Sequence, residues 1–180
     1  MSRDRRLWQL INNNYLTNGI KVLDFSPSRS LYRRFKKLKN LKYFSTDISG
    51  DFIADYCFDI TSLKLEDNSF NLIICYHILE HVIDDYLAMK EIYRVLASDG
   101  ICIIQTPFKE GEIYENNQII SEDQRLIHFG QKDHVRIYSL SGLEKRLNEV
   151  GFKVKILNFE CDSNNVHGYK TKENVFICTK

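Results

Sequence analysis

KVLDFSPSRSLYRRF, residues 21–35, decides the fold. After Lys21 its first five residues form a short apolar run interrupted by an acid at Asp24, and residues 30–38 then space their apolar side chains as a helix does. A buried strand that passes through a short turn into a helix is the opening unit of an α/β sheet. Where such a unit holds a dinucleotide, the turn is rich in glycine so that backbone amides can approach a pyrophosphate. Here the turn reads Phe25, Ser26, Pro27, Ser28.

Working outward, further short apolar runs predict strands at 42–46, 71–76 and 101–106, with weaker ones at 54–58, 153–159 and 174–179. Helical spacing is read in 5–16 (Leu7, Trp8, Ile11, Tyr15, Leu16), closed by Asn18 and Gly19, so that 1–18 is an N-terminal helix. It recurs in 84–96 and in 140–150, which Gly151 closes. Strands alternating with helices imply right-handed crossovers and a Rossmann-like, doubly wound, mostly parallel sheet with helices on both faces. No helical pattern separates the last two strands, which predicts an antiparallel edge pair at the C-terminus. Residues 108–137 are long, polar and weakly periodic, and are expected to form a lid-like insertion. With no repeat, low-complexity tract or linker, the expectation is a single domain over residues 1–180.

Composition narrows the function classes. The chain has 180 residues, 43% of them hydrophobic, enough for one domain burying roughly 70% of the surface of its unfolded form. Lys plus Arg number 25 against 24 Asp plus Glu, so charge gives no argument for a nucleic-acid partner, and the basic stretch around Arg33, Arg34, Lys36 and Lys37 reads as a solvated helix face. Five cysteines without a CxxC pair read as reduced, structural residues. The polar start MSRDRRLWQL does not resemble a signal peptide, and no apolar run approaches the length of a membrane span. A cytoplasmic location is expected.

Ligands of open α/β sheets bind beyond the carboxyl ends of the strands. Three predicted strands end at acids, Asp24, Asp47 and Asp59, and a fourth runs into Tyr76 and His77. Asp47 stands about 20 residues beyond the first turn, the spacing of an acid that accepts hydrogen bonds from a ribose diol. A ribose without a pyrophosphate suits a turn without glycine, and S-adenosylmethionine is the commonest such ligand. Its amino group would be drawn to Asp24, and its carboxylate to the helix start near Ser28 and Ser30.

Residues 47–108, including SFNLIICYHILEHV, the helix EIYRVLASDG and the strand ICIIQTPF, resemble the core of class I S-adenosylmethionine-dependent methyltransferases of the type 11 kind. A narrower resemblance, to a sub-family with a proline-containing first turn and an FGQxDHVRxY signature in the lid, rests on DFSPS and on residues 129–138. Members of that sub-family often carry a cysteine-rich segment before the region that starts here at Ser2, so a shorter form or a truncation is expected. The resemblance implies that Asp24 with Ser26, Pro27 and Ser28 contacts the methionine part and Asp47, with its neighbour Ile48, the ribose. It further implies that Asp59 and Ile60 meet the adenine edge and that Tyr76 and His77 close the pocket; Asp133, Arg136 and Tyr138 are expected to face the substrate. Ser26 and Ser28 replace the Ala and Glu commoner in the family, and Ser98-Asp99-Gly100 replaces a Pro-Gly-Gly turn.

Methyl transfer from a sulfonium is an in-line displacement, in which a hydroxyl acceptor also needs a base. His134, beside Asp133 and near Arg136, is the first candidate for that base, and His81 the second. The expected activity is methyl transfer to a small-molecule or glycan acceptor; the alternative is a non-catalytic module that keeps the fold for binding or scaffolding. His77 to His81 also spells HxxEH, an inverted zinc-peptidase pattern. Because the pattern leaves a strand directly, its two histidines are not expected to share a helix face, and no metal is expected.

Overall fold

The computed structural model describes residues 2–161 and 164–180. Residues 1, 162 and 163, which fall in the expected N-terminal helix and between the last two expected strands, lie outside the described residues. Helix α1 (Ser2–Asn14) precedes β1 (Lys21–Phe25), α2 (Arg29–Lys37), β2 (Lys42–Thr46) and β3 (Phe70–Tyr76). A 3-10 turn (Leu79–His81) leads into α3 (Asp85–Val95) and β4 (Leu96–Gln105). The segment that follows holds β5 (Phe108–Lys109), β6 (Tyr114–Glu115), α4 (Glu122–Phe129) and β7 (Arg136–Ser139), and α5 (Leu140–Val150), β8 (Lys153–Glu160) and β9 (Lys172–Thr179) complete the chain.

The main sheet has the order β2-β1-β3-β4-β9-β8, with parallel pairing from β2 to β4 and antiparallel pairing of β9 to β4 and β8. This is the expected Rossmann-like architecture with an antiparallel edge pair. Alternation along the strands sorts the core into two layers. Leu23, Ile73, Cys75 and Ile104 face α3 and α5, whereas Val22, Leu72, Ile74 and Ile103 face α1 and α2. Local chemistry starts the helices: Ser28, Asp84 and Ser139 each accept a main-chain N–H two or three residues into the helix they cap. Gly151 ends α5 with φ at +116°, where a Cβ would be strained. At Ser98-Asp99-Gly100, which lies within β4 and not in a separate turn, the glycine is required for another reason, since a Cβ at Gly100 would lie 2.9 Å from the Phe70 carbonyl oxygen.

One expected strand is absent. Residues 54–58 make a single parallel bridge, Thr46 with Tyr56, at the outer edge of β2. Main-chain bonds are confined to Ser45 and Asp47, from the Asp55 and Tyr56 amides to Ser45 O and from the Asp47 amide to Tyr56 O, and side chains of β2 add to them: the Asp55 amide also meets Ser45 Oγ at 3.0 Å and the Phe58 amide donates to Thr46 Oγ1 at 2.8 Å. With Asp55, Tyr56 and Cys57 exposed, no neighbour covers the segment and no ladder forms.

Across the other edge, α1 is fastened to the antiparallel pair by an ion pair. Arg6 Nε lies 2.9 Å from Glu173 Oε2, with side-chain exposures of 7% and 0%. The guanidinium is sandwiched between the rings of Phe159 and Tyr169, at 4.6 and 4.4 Å. Removing one member leaves a buried charge without its partner, which costs about 3–5 kcal/mol. In urea unfolding Arg6→Met should therefore lose roughly that much stability, and Arg6→Met/Glu173→Leu should recover a large share of it; a double variant no better than the single one would place the loss in packing.

Candidate active site

Strand β1 lies between two parallel neighbours, β2 and β3, whose crossovers leave it in opposite directions, so a crevice opens beyond its carboxyl end. At that point the chain is held in an uncommon conformation twice. Ser26 after β1 has φ at +48° and His77 after β3 has φ at +57°, left-handed values that glycine adopts most easily. Ser26 is held there by its amide, which donates to Thr46 O at 2.7 Å, and by its hydroxyl, which donates to Asp47 Oδ1 at 2.6 Å. The glycine-free turn thus keeps a glycine-like backbone.

Asp47, at the tip of β2, is organised by donors from its own loop. Ser49 Oγ and the Gly50 and Phe52 amides reach its second oxygen at 2.9, 2.6 and 3.4 Å. Burial alone would raise its pKa, but these bonds and that of Ser26 outweigh it and hold the carboxylate below its ordinary value. Around it Ile48, Phe52 and Ile53 are exposed by 64, 41 and 43%. Such an apolar rim beside a ribose-type acid suits the faces of a purine, and only Ile48 among these three was expected from the sequence.

Asp24 is buried and accepts a hydrogen bond from Tyr43 Oη at 2.8 Å. Loss of solvent pushes its pKa up to about 7; the Tyr43 bond opposes that rise and the nearby Asp4 adds to it. Asp4 comes from α1 and accepts from Ser28 Oγ at 2.8 Å and Ser30 Oγ at 2.9 Å. Where a ligand carboxylate was expected at these serines, the chain's own Asp4 accepts from both hydroxyls, and nothing in the residue spacing announced it. The cleft between these groups is lined by Asp4, Asp24, Ser26, Pro27, Ser28 and Tyr76. Tyr76 Oη and His77 Nε2 are buried with no hydrogen-bond partner.

Other expected site residues separate from this crevice. Asp59 is exposed and accepts from the Thr61 amide and hydroxyl at 2.8 and 2.7 Å, closing its own turn and not a strand. Ile60 packs in the core, so only its main chain could meet an adenine. Arg136 and Tyr138, expected to face a substrate, are interior. Arg136 donates to the Leu79, Val82 and Ile83 carbonyls and pairs with Glu115 at 2.9 Å. Tyr138 is fully buried and donates to Asp85 Oδ2 at 2.5 Å. Where a substrate was expected, the Tyr138 hydroxyl and all three guanidinium nitrogens of Arg136 instead donate to groups of the protein itself. His81 and His134 do come together, edge to face at 4.7 Å between ring centres, and Asp133 Oδ2 lies 3.0 Å from His81 Nδ1. Burial lowers the pKa of His134, with the neighbouring His81 contributing in the same direction.

Comparison with known proteins agrees with this geometry. Residues 12–104 match the family described as methyltransferase domain. The chain belongs to that family. It is 32% identical over 114 residues to the uncharacterised protein MJ0638 of Methanocaldococcus jannaschii, over 63% of this chain and 42% of that protein. It is 25% identical over 117 residues to the bovine (Bos taurus) tRNA N(3)-cytidine methyltransferase METTL2, over 58% of this chain and 31% of that enzyme. The match thus spans less than half the length of each of these curated relatives. The fold is shared with a SAM-dependent methyltransferase from Archaeoglobus fulgidus, with a TM-score of 0.71 at 16% identity, covering 99% of this chain and 93% of that one. The cofactor of this family is S-adenosylmethionine, and the crevice fits it: two buried carboxyls face the space a cationic amino acid would enter, and the unpartnered Tyr76 hydroxyl is available to its carboxylate.

Asp24 makes a pH test possible. Between the ordinary carboxyl value near 4 and its folded value of about 7, the folded chain keeps a proton that the unfolded chain releases, so stability falls as pH rises through that window. Tyr43 and Asp4 face this carboxyl, and Cys75 is coupled to it from β3. Asp24→Asn should match the wild type near pH 4 and exceed it near pH 8 by on the order of 1–3 kcal/mol in chemical unfolding. Parallel stability–pH curves for the two proteins would show that Asp24 ionises normally.

Proposed function

We propose that the chain transfers the methyl group of S-adenosylmethionine to a small-molecule or carbohydrate acceptor placed beside Tyr76 and His77. The observation that supports this reading most is the joint placement of Asp24, Ser26 and Asp47 with Tyr76 and His77 around one crevice at the sheet's switch point. Asp24 would receive the ammonium group of the cofactor, Tyr76 its carboxylate, and Asp47 the ribose diol, with Ile48, Phe52 and Ile53 flanking the adenine. When bound, the cofactor supplies an electrophilic methyl on a sulfonium. The protein's part is to align the acceptor and keep water out, for which the buried ends of β1 and β3 are suited.

The chain's similarity to a tRNA methyltransferase makes tRNA the acceptor to compare against. Calorimetry with S-adenosylhomocysteine tests the cofactor part directly. One site per chain is expected, and Asp47→Ala should weaken it at least about a hundredfold, since two charge-assisted hydrogen bonds of about 1.5–3 kcal/mol each are lost. Failure of the wild type to bind at millimolar concentration would favour the non-catalytic binding module. Product analysis with radiolabelled cofactor then separates acceptors: label in glycan or small-molecule fractions is expected, and label in tRNA alone would overturn the acceptor class.

A further inference from the structure

Beyond methyl transfer, we propose that Glu80, His81 and His134 form a binding site for a divalent first-row metal ion such as zinc. Ligand atoms of the three side chains lie within 4.8 Å of one another. That is somewhat wider than the roughly 3.5 Å between ligands of a closed tetrahedral zinc site, a gap that small side-chain shifts close. Two imidazoles and one carboxylate are a donor set that zinc and its neighbours accept, and three protein ligands leave at least one position open.

Glu80 carries the argument. It is only 1% exposed, and neither carboxylate oxygen has a hydrogen-bond partner. A buried carboxylate in that state calls for a cation. His77 Nδ1, at 3.3 Å from Glu80 Oε1, is the nearest basic group. That contact is not a hydrogen bond, since both carboxylate oxygens remain without a partner, whereas His81 and His134 place ligand nitrogens beside the same carboxylate.

The outer contacts of the two histidines point the same way. Ring nitrogens that hold a metal nearly always have their other nitrogen hydrogen-bonded to a carboxylate or a carbonyl, which fixes the tautomer. His81 Nδ1 lies 3.0 Å from Asp133 Oδ2, and the His134 ring is hydrogen-bonded to the Phe129 main chain. Each ring therefore keeps one nitrogen for an ion. The main chain brings these ligands together as well, since the Val135 amide donates to Glu80 O at 2.9 Å, tying the residue after His134 to the turn after β3. His81, with 31% of its side chain exposed, provides an entry from solvent. In this role His81 and His134 are ligands and not bases. The HxxEH pattern then contributes only Glu80 and His81; the second histidine comes from the lid segment. Given the methyl-transfer reading, an open position on the ion next to the end of β3 would orient an acceptor oxygen, an alcohol or a carboxylate.

The test uses the full chain, stripped with EDTA and titrated with zinc, and with cobalt for its visible ligand-field absorption, in the absence of cofactor. One equivalent of either ion should bind, and the melting temperature should rise with zinc. Glu80→Gln, which preserves shape, and His81→Gln at the surface should each lower the affinity at least tenfold. Asp133→Asn, which removes an exposed outer acceptor, should lower it about tenfold. Circular dichroism checks that the variants fold. Sub-stoichiometric binding, or binding unaffected by His81→Gln and Asp133→Asn, overturns the site and assigns any metal to the cysteines or surface histidines. Because uptake is read without S-adenosylmethionine, such a result leaves the methyl-transfer reading intact, just as absence of cofactor binding would leave this site intact.

Discussion

The parallel pairing of β1 with both β2 and β3 is the constraint on which the rest depends. Asp24 registers with Ser45 on one side and with Ile74 on the other, so the three strands end at one level. Side chains that leave those ends have only one place to go. Asp47, Ser26, Tyr76 and His77 converge there without any one of them specifying the convergence. Parallel pairing also demands crossover connections, which place α2 on one face of the sheet and α3 on the other, with α1 beside α2 and α5 beside α3. The burial that stabilises the sheet and the crevice that gives it chemistry thus have one cause.

At the crevice the backbone is held away from its preferred conformation. A non-glycine residue in the left-handed region costs about 1–2 kcal/mol, and Ser26 and His77 both sit there. For Ser26 the compensation is visible: its hydroxyl bridges the tips of β1 and β2 through Asp47, which a glycine could not do. A turn without glycine accordingly trades an unstrained backbone for a bond that pre-positions the ribose-type acid. Both oxygens of Asp47 already accept, one from Ser26 and the other from its own loop, so an incoming diol must share that acid with these donors or displace one of them.

The elements that the sequence disclosed are those whose apolar period is enforced by burial on a known side. Residues 21–25, 42–46 and 140–150 are read with the boundaries observed, because β1 and β2 are short parallel strands and α5 is an amphipathic helix with a serine before it and a glycine after it. Residues 54–58 have similar composition but no neighbour beyond β2, and the apolar pattern of a strand does not say whether a neighbour is there. Asp24 and Asp47 were legible because strand ends are legible. Asp4 was not, since its place at the start of α2 depends on how α1 packs, and the burial of Arg136 and Tyr138, expected to face the substrate, was not legible because their partners, Asp85, Glu115 and the carbonyls after β3, are far away in sequence.

Those buried partners also bear on what the segment between β4 and α5 can do as a lid. Asp85 accepts from Tyr138 at 2.5 Å and pairs with Arg146 at 2.6 Å, while Glu115 bridges Arg136 and Arg146. Two arginines, two carboxylates and a phenol thereby join β6 and β7 to the start of α3 and the middle of α5. Separating them would strand charges in a low-dielectric interior, at a cost of several kcal/mol. A closing motion that carried β7 would have to break that network, whereas α4 has its own serine cap and glycine terminus and presents Leu126 and Ile127 to solvent, 47 and 78% exposed. The physical chemistry of the segment therefore fixes residues 134–139 as a wall, and α4 is packed outside it through the buried Phe129 ring and the Tyr114–His128 contact.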